Sequence, residues 1–291
     1  MAQIDNKFPS LPLGRYDGFT VYMRNGKPIV RRSKNDKGNP SKSKVQSAAR
    51  LRWNNVQRLW SEFPRNWRPL YQNRSIGSSN YNTFMSLNMH NTPIYFTKEE
   101  VQAYASVLVP LEVSHGILKE IAMELDGTGL ASDIKVGNLN VTARTTVGQF
   151  AKAVLKSNRN FAAGDQLTFI VGRQTEEASV PRTSFVCHTV TLDLASDQLL
   201  SEAVGNSDGF EVRGGVLASH VVTGAAAWVH SRPVEGGEPL VSTQWLWCDN
   251  AEMIARYTSP EALERASQSY GRVEPELLSP DPTFADQAGK L

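Results

Sequence analysis

The first part of the chain carries one alternating and one helical pattern of apolar positions. Apolar and polar side chains alternate over Phe19–Arg24, and Asn25-Gly26, a pair favoured in two-residue turns, separates this run from Lys27–Arg32. We therefore predict a β-hairpin. Apolar residues then recur at spacings of three and four over residues 43–63, which predicts an amphipathic helix. Its predicted apolar face consists of Val45, Ala49, Trp53, Val56, Trp60 and Phe63.

Short β-rich runs bounded mostly by Gly, Asp, Asn or Pro dominate the chain after residue 107. These predicted strands cover residues 107–113, 121–125, 134–141, 166–171, 184–192, 210–216, 225–230 and 240–247. So many short strands favour a sandwich or a barrel. We predict a mainly β fold, an Ig-like or jelly-roll-type β-sandwich with an N-terminal basic β-hairpin arm and short helices.

Apolar residues predict a further short helix over residues 78–89, which ends before Asn91-Thr92-Pro93. Capping residues predict helices over residues 147–155 after Thr145-Thr146 and over residues 259–269 from Ser259-Pro260-Glu261. The chain then divides into four predicted parts. They are an extended basic arm with the hairpin (residues 1–40), a helical segment (41–106), a β-sandwich with one inserted helix (107–258), and a C-terminal helix with an acidic tail (259–291).

Composition indicates a folded globular protein, since 40% of the 291 residues are hydrophobic and 21% are charged. No apolar run matches a secretory signal or a membrane span, so we expect synthesis in the cytoplasm without export by a signal peptide. Cys187 and Cys248 lack the CxxC spacing of a zinc or redox site, and we interpret both as small buried side chains.

The net charge of +2 conceals a strong asymmetry along the chain. Residues 1–75 contain 16 Lys and Arg against 4 Asp and Glu, whereas residues 76–291 contain 15 against 25. This split indicates either a basic arm that meets an anionic partner or a head that meets the acidic body of a neighbouring copy. The charge count supports both alternatives.

Cations and tryptophans accompany each other in the basic region. This mixture could stack on bases and bind phosphates, or the tryptophans could form a packing stripe while arginines cover the other side. The seven-residue spacing of the tryptophans favours packing against a core or a neighbouring subunit. The predicted residues that bind a partner, either a subunit or nucleic acid, are Arg24, Lys27, Arg31, Arg32, Lys34, Arg50, Trp53, Arg58, Trp60 and Trp67.

No motif in the chain predicts a catalytic or metal site. The histidines are single, although His188, His220 and His230 could converge with Cys187 in a sheet. Residues 205–209 match GxSxG, but a polar turn explains them better than a nucleophile elbow, which needs a following helix. We therefore predict no enzyme, no catalytic residues, no metal and no cofactor.

Several segments resemble a family of uncharacterised proteins from Bacteroides-type bacteria, known as a domain of unknown function. The segments are residues 14–60 with the hairpin, the basic linker and the Arg-Trp helix, then residues 145–154, 164–169, 229–234 and 240–244. The resemblance spans nearly the whole chain. It implies neither an activity nor functional residues.

Two hypotheses follow. The first is a structural or assembly subunit of a multi-subunit particle, with a phage virion as one candidate, in which the basic arm and the tryptophan helix contact other subunits. Its partners would be further copies of the chain or other subunits of the particle, and no membrane. The alternative is a nucleic-acid-binding protein whose basic N-terminal region contacts phosphates.

Overall fold

Strands form the larger share of the regular structure. The computed structural model describes residues 2–3, 13–16, 19–24, 27–32, 44–72, 74, 77–125, 129–205, 210–219 and 224–270. Over these residues the protein is mainly β, with several sheets, one of them a curled half-barrel. Asn25-Gly26, Lys34, His220, residues 206–209 and the acidic tail at 271–291 lie outside the described residues.

The predicted β-hairpin is confirmed, and it belongs to a four-stranded N-terminal sheet. The strands of this sheet are β1 (Ala2–Gln3), β2 (Gly14–Tyr16), β3 (Phe19–Arg24) and β4 (Lys27–Arg32). Their order is β1-β4-β3-β2. The antiparallel register between β3 and β4 pairs Val21 with Val30, so apolar residues lie opposite each other at the centre of the hairpin.

The helical segment forms largely as predicted. It contains α1 (Lys44–Glu62), α2 (Asn80–Asn88) and the short α3 (Lys98–Gln102). Ser79 caps α2 by accepting a hydrogen bond from the Asn82 backbone, and Thr97 forms a capping box with Glu100 at the start of α3. The third of these helices was not predicted from the sequence.

A seven-stranded sheet forms the centre of the described structure. It consists of β5 (Leu70–Tyr71), β6 (Leu111–His115), β9 (Gln166–Glu177), β10 (Val180–Thr191), β13 (Gly224–Arg232), β14 (Leu240–Val241) and β15 (Gln244–Cys248). The strand order is β10-β9-β13-β15-β6-β5, and β14 pairs with β13. The 12-residue strand β10 therefore lies at one edge of this sheet.

A smaller sheet and four helices complete the described part of the chain. The sheet has the order β11-β12-β8-β7. Its strands are β7 (Met123–Leu125), β8 (Leu130–Lys135), β11 (Glu211–Arg213) and β12 (Val216–Ser219). The helices are α4 (Val147–Ser157), α5 (Leu200–Ala203), α6 (Ala251–Thr258) and α7 (Pro260–Ser269). Helices α4 and α7 confirm two predictions, whereas α6 falls in the segment predicted to be sandwich.

Two apolar clusters lie on opposite faces of the central sheet. Along β13, Ala225, Ala227 and Val229 join the cluster that contains residues of α1 and α2. Ala226 and Trp228 join the other cluster, together with residues of α4 and of the smaller sheet. Since successive side chains of a strand point to opposite faces, β13 is buried on both sides and its sequence reads as a continuous apolar run.

The predicted strand at residues 107–113 begins later than expected. Strand β6 starts at Leu111 because side chains occupy the preceding backbone groups. The Val107 amide donates to Asn55 Oδ1 at 2.9 Å, and the Leu108 amide donates to Gln174 Oε1 at 2.8 Å. Side-chain partners thus replace a strand partner over this stretch.

Candidate functional site

The β-hairpin presents cations on its surface. Lys27, Arg31 and Arg32 of β4 are exposed, and the strand register places Arg24 opposite Lys27. The Arg31 guanidinium lies over the Tyr22 ring, 5.6 Å from the ring centre. This cation–π contact holds Arg31 along the strand while its charge remains exposed. The hairpin therefore offers fixed positive charge to an anionic partner.

The buried face of α1 is rotated from the predicted one. Its buried apolar residues are Leu51, Val56, Leu59 and Phe63. Asn55 is also buried, and its side-chain amide donates to the Val107 backbone oxygen at 2.9 Å while its Oδ1 accepts from the Val107 amide. At 3.6 residues per turn, this face is rotated by roughly 70° from the predicted face. The rotation turns Trp53 toward solvent.

Two of the predicted tryptophans pack into the first apolar cluster. Trp67 is 9% exposed and its ring centre is 5.6 Å from that of Phe63. Trp60 is half-buried and contacts the rings of Tyr81 and Phe84 at 5.5 and 5.2 Å. Trp67 is therefore a core residue and not part of a surface that a partner can reach in this structure.

Three aromatic side chains remain exposed beside α1, and we call them the aromatic patch: Trp53, Tyr104 and Tyr270. Their exposed fractions are 38%, 60% and 40%. Trp53 Nε1 donates to Gln57 Oε1 at 3.0 Å, and Tyr270 forms a hydrogen bond with the Asn54 side chain. Exposed aromatic side chains that are held in place are typical of binding surfaces.

A pocket of about 230 Å³ adjoins the aromatic patch, between α1 and the segment around Tyr104. From α1 it is lined by Asn54, Gln57, Arg58 and Ser61. The Arg58 guanidinium lies over the Tyr104 ring, 4.8 Å from its centre, and pairs with Glu62 at 2.6 Å. The pocket therefore combines a neutralised guanidinium, two amides and a hydroxyl with the ring of Tyr104, a set that suits hydrogen bonding and stacking.

The backbone of Tyr104 is strained. Its φ of 61° lies in the left-handed region, which a bulky residue rarely adopts. Neighbouring hydrogen bonds hold it there, because the Tyr104 amide donates to Val101 and the Ala105 amide donates to Glu100. These two bonds form a Schellman cap, in which the residue after the helix adopts the left-handed conformation. It projects an aromatic ring beside the pocket.

A buried polar network lies outside the aromatic patch. The Asp165 carboxylate accepts hydrogen bonds from Arg232 Nε and Nη2 at 2.7 and 2.8 Å, from His230 Nε2 at 2.7 Å, and from the Ala162 amide at 2.8 Å. The side chains of Asp165 and His230 are 1% and 0% exposed, whereas that of Arg232 is 36% exposed.

Hydrogen bonding and burial shift the pKa values of Asp165 and His230 in opposite directions. Burial alone raises the pKa of the Asp165 carboxyl, but the hydrogen bonds from Arg232, Ala162 and His230 outweigh it and hold the pKa below its usual value. Burial lowers the pKa of His230 despite its carboxylate partner. We interpret the pair as an ionised carboxylate and a neutral imidazole with a structural role.

The predicted site residues fall into different surroundings. Arg50 lies in α1, and Lys34 lies outside the described residues. His188 and Cys187 are neighbours in β10, but His230 lies two strands away in β13 and pairs with Asp165. Among the residues that the structure describes, no group of three His, Cys, Asp or Glu side chains could hold a metal ion.

The sequence did not predict Asn54, Gln57, Tyr104 or Tyr270 as site residues. The two amides lie on the polar side of a predicted helix, where a solvated surface is the usual interpretation. The two tyrosines lie 166 residues apart in the chain, and only the packing of α7 near α3 brings them close to α1. No local pattern carries that information.

Comparison of the chain with protein-family models, with curated proteins and with solved structures finds no match. The resemblance to the Bacteroides-type family therefore stays a prediction. Within the described residues, no helix has both the length and the apolar character that crossing a membrane requires.

Proposed function

We propose that the protein is a non-enzymatic structural subunit of a multi-subunit particle, with a bacteriophage virion as one such particle. The observation that carries this proposal is the aromatic patch, in which three large rings stay exposed beside a pocket. Large exposed apolar patches on soluble proteins mark interaction sites.

The aromatic patch has the size of an anchor within a larger interface. Its exposed fractions correspond to on the order of 300 Å² of ring surface. A stable interface buries about 800 Å² on each partner, and a few aromatic residues at its centre provide most of the binding energy. Further surface must therefore take part, and the exposed hairpin of β3 and β4 is one candidate.

Charge complementarity supports a second copy as the partner. The hairpin exposes Lys27, Arg31 and Arg32, while residues 76–291 carry an excess of acidic residues. A basic head on one copy and an acidic body on the next attract each other and direct association. Within the aromatic patch, the Arg58–Glu62 pair leaves little net charge, which suits a contact with protein better than one with phosphate.

The absence of an enzymatic activity is part of the proposal. Asp165 and His230 form a buried carboxylate–imidazole pair. Its carboxylate already accepts four hydrogen bonds from Arg232, His230 and Ala162. A carboxylate with four donors orders the surrounding chain, and we assign it that role.

A specific type of β fold for the body is also part of the proposal. We infer an Ig-like or jelly-roll-type sandwich for the body, because residues of the central sheet and of the smaller sheet share one apolar cluster. Phe169 and Trp228 enter this cluster from the central sheet, and Leu130 and Leu217 enter it from the smaller one. Two sheets that face a common core are the defining feature of a sandwich.

Nucleic-acid binding is the alternative function. The exposed Lys27, Arg31 and Arg32 support it, because clustered cations on a β-ribbon can neutralise phosphates. This alternative assigns no role to the aromatic patch or to the adjoining pocket, where the Arg58 guanidinium is paired with Glu62. The two functions predict different effects of salt on the mass of the protein particle and on the amount of nucleic acid that it binds.

Light scattering of the full-length protein at low and high salt, with absorbance at 260 and 280 nm on the same peak, tests the proposal. We expect a protein-only mass of several subunits. The charge-reversal variant Lys27→Glu/Arg31→Glu/Arg32→Glu should lower that mass. The control Arg144→Glu/Lys152→Glu/Arg159→Glu makes the same change of charge at exposed positions of the body and should not.

A wild-type monomer that carries nucleic acid at low salt and releases it at high salt would overturn the structural role. The same variant would then lose nucleic acid and leave the mass unchanged. Equal loss of mass in both charge-reversal variants would show that net charge matters and that the hairpin has no specific role.

A further inference from the structure

The outer edge of β10 can be identified from its hydrogen bonds. Ser106 lies beside β10 and on the side away from β9: its amide donates to the Pro181 oxygen at 2.9 Å, and its hydroxyl oxygen accepts from the Thr183 amide at 2.9 Å. On the inner side, the Leu192 amide donates to the Asp165 oxygen, next to the start of β9. The odd-numbered residues of β10 therefore direct their backbone groups outward.

Part of this edge has no hydrogen-bond partner among the residues that the structure describes. The register with β9 is continuous from Val180 to Thr191, so the backbone groups of Phe185, Cys187 and Thr189 also point outward. No described residue outside β10 bonds to the outward backbone groups of these three residues. Unpaired edge groups of this kind are a template for another strand.

The edge also lacks the features that normally prevent strand addition. Residues 183–192, Thr-Ser-Phe-Val-Cys-His-Thr-Val-Thr-Leu, contain no Lys, Arg, Asp, Glu or Pro. Val186 is 38% exposed in the middle of this stretch. Natural edge strands are usually protected by a charge, a proline or a bulge, and none of these occurs between Thr183 and Thr191.

We propose that the edge of β10 pairs with β10 of a second copy, antiparallel and about a two-fold axis, so that the two central sheets become one continuous sheet. This inference rests on the proposed function and names the surface through which copies associate. A two-fold axis makes the pairing self-complementary, because the outward backbone groups of Phe185 and Cys187 on one copy meet those of Cys187 and Phe185 on the other.

The ends of the edge support a second copy in the antiparallel orientation. Arg182 and the exposed Tyr104 lie at one end, where Arg182 Nη1 donates to the Tyr104 oxygen. Asp193 and Leu194 are exposed at the other end, and Leu194 is 43% exposed. Antiparallel pairing places the end that carries Arg182 and Tyr104 beside the end of the other copy that carries Asp193 and Leu194. Parallel pairing would bring like charges together.

The exposed Val186 selects the register. Its backbone groups point toward β9, so pairing centred on Val186 makes it a non-hydrogen-bonded pair with its own counterpart. Such pairs have the closer spacing, about 4.5 Å between Cα atoms, and their side chains touch. On either side, Phe185 lies opposite Cys187 of the other copy, and these two residues exchange backbone hydrogen bonds.

The first test is the concentration-dependent mass of full-length Val186→Lys, measured by light scattering and compared with wild type. A lysine pair at the two-fold axis should shift the midpoint of association to at least tenfold higher concentration. The control Val234→Lys makes the same change at a similarly exposed position, 43%, in a loop away from β10. Circular dichroism of both variants checks that they are folded.

Unchanged association of folded Val186→Lys would overturn the inference and leave the proposed function intact, since the copies would then associate through another surface. A wild-type chain that stays monomeric at all concentrations would overturn both. Loss of association in Val186→Lys but not in Val234→Lys supports both the strand pairing and the proposed function.

The second test does not depend on disrupting the fold. Cα atoms of a non-hydrogen-bonded pair lie within the range that a disulfide requires. Val186→Cys should therefore form a cross-linked dimer under mild oxidation, while Val234→Cys should not. Native Cys187 gives little background, because burial raises the pKa of its thiol to about 12 and keeps it in the unreactive form. Equal cross-linking of the two variants, or none in either, would contradict pairing about Val186.

Discussion

Replacing Asp165 tests whether the buried network holds the sheet to the chain that precedes it. Asp165 lies just before β9, and its partner His230 lies in the adjacent strand β13. The Asp165→Ala variant removes a buried acceptor of four hydrogen bonds and leaves the fully buried Nε2–H of His230 without a partner. Asp165→Asn keeps the shape and one acceptor oxygen.

The two substitutions should differ in cost. Leaving a buried donor without its acceptor costs about 1–3 kcal/mol, and Asp165→Ala does this to both His230 Nε2–H and the Ala162 amide, so we expect a loss of about 2–6 kcal/mol. Asn can keep its oxygen on His230 and on the Ala162 amide, while its amide group meets the partly exposed Arg232, which can move toward solvent. The weaker neutral hydrogen bonds should then cost about 1–2 kcal/mol.

Urea unfolding followed by circular dichroism at pH 7 measures both values. Asp133→Ala is the control, because Asp133 is a partly exposed carboxylate paired with Lys119 at 2.8 Å, and surface pairs contribute about 1 kcal/mol or less. A loss in Asp165→Ala no greater than that in the control would refute a structural role for the network. Equal losses in the Ala and Asn variants would show that the charge matters more than the accepted hydrogen bonds.

Three further predictions concern other parts of the fold. Burial lowers the pKa of His230, so the unfolded chain takes up the proton first and the free energy of unfolding falls as the pH drops below about 6.5. His230→Gln should reduce the dependence of this free energy on pH by up to about 1.4 kcal/mol per pH unit. Urea titrations at several pH values measure it. In the same assay, Trp67→Ala should lower the free energy of unfolding by about 3–5 kcal/mol because its ring is buried. Trp53→Ala should lower it by about 1 kcal/mol or less and should weaken association in light scattering. Similar losses of stability in the two variants would contradict these placements. Gly224→Ala would bring its Cβ within 2.0 Å of a backbone oxygen. It should therefore lower the melting temperature more than Gly164→Ala, whose Cβ meets no atom within 4 Å although the backbone is strained at φ +86°. The reverse order of melting temperatures would be inconsistent with this packing.

The elements that the sequence predicted well depend on neighbouring residues only. Helix α4 begins after Thr146, whose side chain accepts from the Gln149 amide while the Gln149 side chain accepts from Thr146. Ser259 and Pro260 start α7 in the predicted way. Caps and turns are encoded within four residues, so a single sequence reveals them. The division of the chain into four parts stays a prediction.

Elements that depend on distant contacts were harder to predict. Asn55 lies on the buried face of α1 because it bonds to Val107, 52 residues away, and the apolar pattern alone favours a face through Trp53. Asp165 and His230 are 65 residues apart. Helix α6 has only Tyr257 buried among its residues, and that ring packs against Phe96, which is distant in the chain. Each case requires knowledge of what packs against the residue.

The aromatic patch and the free edge of β10 have a common structural origin. Residues 104–106 cover the first part of the edge, since Ser106 bonds to Pro181 and Thr183, and this cover ends before Phe185. Tyr104 projects from the same segment and accepts a hydrogen bond from Arg182 of β10. A second copy that added a strand along the edge would therefore also lie beside the patch. The two surfaces would then act as one interface, and Tyr104→Ala should weaken the same association that Val186→Lys disrupts.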